Sequence, residues 1–132
     1  SPYYSPRLSP DGRRLLVDER TGGSGNIWML DLERHTFGRL TFEGGANTNP
    51  NWTPDGKFVV YGNDAAGSLD VFRRPADGTG SPERVTTGVV TRAPFEVTRD
   101  GKRALFRLQQ PGALLNDMYT VALDGSHEER PL

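Results

Sequence analysis

Apolar residues in this chain gather in short unbroken runs rather than in helical stripes. Leu15-Leu16-Val17, Val59-Val60-Tyr61 and Ala104-Leu105-Phe106 are three such runs, each two residues beyond an Asp-Gly pair. A short continuous apolar run bounded by turn signals predicts a strand buried on both faces. The Asp-Gly pairs predict tight hairpin turns, both residues supplying positive dihedrals, which join these strands to the ones carrying Leu8, Trp52 and Val97. A second, looser hairpin follows in each case, over residues 18–26, 62–70 and 107–117. The 3.6-residue spacing of an amphipathic helix is absent, so the pattern predicts an all-β chain.

The pattern recurs with a period of about 44 residues, a length that implies an array of like units. Asp11-Gly12, Asp55-Gly56 and Asp100-Gly101 are 44 and 45 residues apart, and Pro6, Pro50 and Pro94 are 44 apart. "NIW" at 26–28, "DVF" at 70–72 and "DMY" at 117–119 place Trp28, Phe72 and Tyr119 at one equivalent position, expected in the core. Each unit closes on "GRLT", "ERVT" or a truncated "ERPL". The units run over about 1–43, 44–87 and 88–132, one propeller segment with nothing left over. Four short strands per 44 residues is the size of a propeller blade.

"PRLSPDGRRLLV" with "GNIWMLDL", and "PNWTPDGKFVVY" with "LDVFRRPADG", resemble the Pro-Asp-Gly, WD-repeat-like propeller repeat of the TolB type. The third unit departs from it, with Arg99 at the turn proline's place, an extra residue in "PFEVT" and a longer second hairpin. The resemblance implies three four-stranded antiparallel blades, half of a six-bladed propeller. It also implies a rigid scaffold whose loop face or channel binds a protein or peptide, in the periplasm or another extracytoplasmic compartment, with the cytoplasm as the other possibility. Three blades form an arc with an uncovered face at each end, so two repairs stay open. Either the chain belongs to a longer protein, or two copies close a six-bladed ring as a homodimer.

Composition adds exclusions more than assignments. The 132 residues carry 16 basic and 17 acidic side chains, a formal net charge of -1, which argues against nucleic acid as a partner. Apolar runs of four or five residues are too short for membrane insertion, and the N-terminus has no signal-peptide pattern. There is no cysteine, hence no disulfide and no cysteine-based zinc site.

No catalytic residues, metal ligands or cofactor are expected. "TGGSG" at 21–25 fits neither a phosphate loop nor a nucleophile elbow, and His35 and His127 stand in polar turns without metal-site spacing. Without a plausible histidine base, Ser5, Ser9 or Ser24 is not expected to serve as an activated nucleophile. Recognition is instead expected at polar positions that vary between units. On the channel side these are Arg7, Asn51 and Glu96; on the loop face, where 18–26, 62–70 and 107–117 meet 42–48 and 87–93, they are Arg20, Asn63, Asp64 and Gln110. The leading reading is a non-enzymatic binding module. The alternative is the propeller part of a larger enzyme or sensor, a prolyl-oligopeptidase-type peptidase or a propeller-bearing kinase, whose catalytic domain lies elsewhere; a lyase or carbohydrate-binding propeller is a third.

Overall fold

The computed structural model describes residues 3–21, 24–88, 90–109 and 117–132. Among the described residues, twelve strands form three four-stranded antiparallel sheets in strict chain order. The first holds β1 (Tyr3–Leu8), β2 (Arg14–Thr21), β3 (Ser24–Asp31) and β4 (Thr36–Arg39). The second holds β5 (Asn47–Trp52), β6 (Phe58–Asn63), β7 (Asp70–Pro75) and β8 (Glu83–Arg84). The third holds β9 (Thr91–Val97), β10 (Arg103–Gln109), β11 (Asp117–Ala122) and β12 (Glu129–Pro131). No helix occurs among the described residues. The expected all-β blades are therefore present.

The first turn of each sheet is built by one recurring set of hydrogen bonds. In the second sheet the Gly56 N–H donates to the Thr53 carbonyl (2.9 Å), and the Asp55 carboxylate accepts from the Thr53 hydroxyl (2.7 Å) and the Lys57 N–H (2.9 Å). Ser9/Asp11/Arg13 and Thr98/Asp100/Lys102 repeat it. These bonds hold all three carboxyls below their ordinary range, with the hydroxyl leading at Asp11 and Asp100 and the backbone N–H at Asp55. The turn differs from expectation in one respect. Only the glycines have positive φ, 75°, 72° and 73° at Gly12, Gly56 and Gly101, whereas the aspartates do not. It is a proline-compatible turn with glycine at its fourth position, and Arg99 enters it as readily as Pro10 and Pro54 do.

Side-chain alternation along the strands fills two cores. Leu16, Ile27 and Leu40 of the first sheet meet Trp52, Val59, Tyr61 and Ala76 of the second. Val60, Val71 and Val85 of the second meet Val97, Ala104, Phe106 and Val121 of the third. Only the middle sheet therefore has its whole apolar run buried on both sides, with Val59, Val60 and Tyr61 at 0% exposure. In the end sheets Leu16, Ala104 and Phe106 are buried while Leu15, Val17 and Leu105 are half-buried, which corrects the expectation for the first and third runs. The outer face of the first sheet is apolar, with Leu8 57% and Phe37 50% exposed and Phe37 stacked on Trp28 at 5.0 Å.

Two further expectations are modified. Trp28, Phe72 and Tyr119 are half-buried, Phe72 and Tyr119 packing against the edges of the cores. The last strand of the third sheet is slipped by one residue, Tyr119 pairing with Pro131 where Trp28 pairs with Arg39 and Phe72 with Arg84. The cause lies in "ERPL". Thr41 and Thr86 accept the Ile27 and Val71 N–H groups through their hydroxyls (3.0 and 2.9 Å), a bond Leu132 cannot make.

Candidate functional site

The first strands β1, β5 and β9 lie side by side, and each carries a bulge close to its proline. A bulge places two residues opposite one and re-aims a side chain. In β5 the bulge falls at Asn49-Pro50, and Asn49 takes a positive φ of 53°. In β9 the extra residue of "PFEVT" moves it to Phe95. Between these strands opens a recess of about 180 Å³, lined among others by Arg7, Asn49, Asn51, Phe95 and Arg107.

Hydrogen bonds preset part of that lining. Arg20 donates to Asn49 Oδ1 (3.2 Å) while also pairing with Asp18 (3.1 Å), a carboxylate with no exposure. Asn51 Nδ2 donates to the Asn49 carbonyl (3.1 Å), which holds the bulge from within the strand. The Arg107 guanidinium lies 5.4 Å from the Phe95 ring centre.

The loop side is bound together more tightly than its composition suggests. Asn63 Nδ2 donates to the Gly44 carbonyl and to Asn47 Oδ1 (both 2.9 Å), and Asn47 Nδ2 donates to the Gly25 carbonyl (3.2 Å). Asp64 Oδ1 accepts the Ala46 N–H (2.7 Å). A Cβ on Gly45, at φ 79°, would sit 2.7 Å from that same oxygen, so glycine is required there. Next to this, Glu43 accepts from buried Arg74 (2.6 Å) and from the Tyr61 hydroxyl (2.5 Å). Burial, and then the hydrogen bond to Glu43, push the Tyr61 phenol far above its ordinary value. These contacts fasten the connection between the first two sheets to the second.

The sequence-derived candidates thus separate. Arg7 and Asn51 share the channel-side recess, and Arg20 reaches it through Asn49. Glu96 does not join them: it pairs with Leu105, as Arg7 pairs with Leu16 and Asn51 with Val60, yet it lines a different cleft, with Trp52, Pro54 and Thr98. Asn63, 4% exposed, and half-buried Asp64 spend their polar atoms on the loops themselves. Gln110 lies outside the described residues. Asn49, Phe95 and Arg107 were not singled out from the sequence. The one available signal was the extra residue in "PFEVT".

Among the described residues, no three His, Asp or Glu side chains converge as a metal site. His35 and His127 are exposed turn residues at φ 56° and 57°, and Ser9 Oγ donates to its turn aspartate.

Comparison with known proteins agrees with this architecture. The TolB of Francisella tularensis subsp. mediasiatica is 33% identical over 60 residues, 46% of this chain and 14% of that protein. A structure described as TolB of Agrobacterium tumefaciens superposes with a TM-score of 0.84 at 22% identity, over 99% of this chain and 49% of that one. A prolyl endopeptidase structure gives 0.76 at 18% identity, over 98% of this chain and 21% of that one. The two superpositions show the fold alone, and this chain corresponds to a part, half or less, of each protein. Residues 2–130 match the model of the TolB beta propeller domain, and the chain belongs to that family.

Proposed function

We propose that this chain is a non-enzymatic propeller scaffold that binds a protein or peptide, acting in the periplasm as its TolB relatives suggest. Its three sheets are read as WD-repeat-like units with boundaries near residues 43 and 87. The observation that carries the reading is a pre-shaped recess on the channel side, next to a loop face already fixed by its own hydrogen bonds. Rigid surfaces of this kind bind with little ordering cost. The open end faces are closed by further blades. A second copy of this chain would serve: Leu105 and Met118 of its third sheet meet Leu8, Leu15, Val17 and Trp28 of the first, as Val60 and Val71 meet Ala104 and Phe106 within the chain. Light scattering should then give twice 14.6 kDa; a monomer means that the blades come from a longer polypeptide.

A photo-crosslinking residue placed at exposed Ala66 on the loop face tests the binding role, with one at exposed Arg34 as the control. A discrete protein adduct from position 66, competed by unlabelled chain and absent from position 34, is the expected result. The second reading is a propeller portion of a larger enzyme of the prolyl-oligopeptidase type, supported by the endopeptidase superposition over 98% of this chain. A hydrolase segment in the same reading frame, with no adduct from position 66, would favour it.

A further inference from the structure

The channel-side recess differs chemically from the other clefts. Four others each include a carboxylate: Asp100 and Asp124 in one, Glu96 in another, Asp77 in two more. The recess has none among the described residues. Most arginines of this chain donate to carboxylates or carbonyls, but no hydrogen bond or ion pair engages the Arg7 or Arg107 guanidinium among the described residues. Asn49 adds a further donor. Its Oδ1 accepts from Arg20, and no acceptor for its NH₂ group stands among the described residues. Its positive φ, at the residue before a proline, is an unusual conformation that a hydrogen-bonded surround maintains.

A site rich in donors and free of carboxylates selects an anionic acceptor, and two forked guanidinium groups match a carboxylate. The volume of about 180 Å³ suits one side chain; drug-sized ligands occupy pockets of about 300–1,000 Å³. Phe95 supplies an apolar wall for a methylene stem. Asn51 Oδ1, with no donor among the described residues, remains to accept a peptide N–H.

We infer that this recess holds an aspartate or glutamate side chain of a bound peptide, between the Arg7 and Arg107 guanidinium groups and against Phe95. This rests on the peptide-binding reading above and specifies its chemistry.

The test is a titration of the chain, with its arginine side chains ¹⁵N-labelled, against acetylated triglutamate and acetylated triglutamine. Triglutamate is expected to shift the Arg7 and Arg107 Nε–H signals saturably, with an affinity that falls as salt is raised. Triglutamine is expected to leave them unmoved. Arg7→Gln and Arg107→Gln should each weaken triglutamate about tenfold, the loss of one charge-assisted contact, while Arg99→Gln changes nothing. Both arginines are exposed, so neither variant threatens folding. Equal shifts from triglutamine, or unchanged affinity in both variants, would overturn the carboxylate assignment while leaving peptide binding at the channel intact. Absence of any shift overturns it too, and the crosslinking at position 66 then decides separately whether the scaffold reading stands. Tighter binding of trigalacturonate would overturn the peptide assignment in favour of an acidic saccharide.

Discussion

The middle sheet and the two end sheets are built from nearly the same residues, yet their interiors differ. Val59, Val60 and Tyr61 have a sheet on each side, whereas Leu15, Val17 and Leu105 have one on only one side. The turns do not share that difference: the hydroxyl, aspartate and glycine of each first turn make the same bonds in all three sheets. Local structure is therefore uniform along the chain, while burial depends on which neighbours are present.

The largest expected effect breaks that contrast directly. Tyr61→Ala removes a buried ring and should cost about 3–5 kcal/mol in urea unfolding, whereas Val17→Ala, at the equivalent position of the first sheet, should cost under about 1.5 kcal/mol. Similar losses would mean that the outer face of the first sheet is covered in solution. Next is Glu43→Ala, which strands Arg74 at 6% exposure; breaking such a pair costs about 3 kcal/mol or more. Glu43→Gln, still able to accept one hydrogen bond, should cost visibly less.

Gly12→Ala, Gly56→Ala and Gly101→Ala sharpen the other half of the contrast. Each forces a side chain into positive φ at about 1–2 kcal/mol, and the three losses should agree within error because the turns are alike. Titration gives smaller effects of known sign. The turn carboxyls are held below 3.8, so their stabilisation is present at neutral pH and is lost as pH falls below about 4. Tyr61 is shifted the other way from 10.0, so its contribution is complete below pH 10 and declines above it. Urea midpoints measured across both windows check the two signs. The smallest effect belongs to Phe37→Ser on the open face, expected to change chain stability by under about 0.5 kcal/mol. The same substitution should lower the mass seen by light scattering if that face seats a second copy.

Legibility followed the range of the forces involved. The strands, the repeated turns and the all-β class could be read from Asp-Gly pairs and apolar runs, because turn geometry depends on a few adjacent residues. The candidate site was half legible. Arg7 and Asn51 line one recess together, whereas Glu96, grouped with them by counting back from the turn, lines another. Equivalent register does not give equivalent surroundings, and the extra residue of the third sheet's bulge, Phe95, lines the recess. Asn63 and Asp64 read as free polar loop residues, although their partners Gly44 and Ala46 belong to a connection almost 20 residues away.

What the sequence determined by itself, then, is the repeating local structure: where each strand starts, how each first turn closes and why a glycine ends it. Tertiary structure alone decided which runs are buried on both sides, which polar side chains are consumed in tying loops and which two arginines stand together without a carboxylate. Those outcomes depend on contacts between sheets whose residues lie tens of positions apart. No local pattern specifies such contacts, and a one-residue bulge is enough to change them.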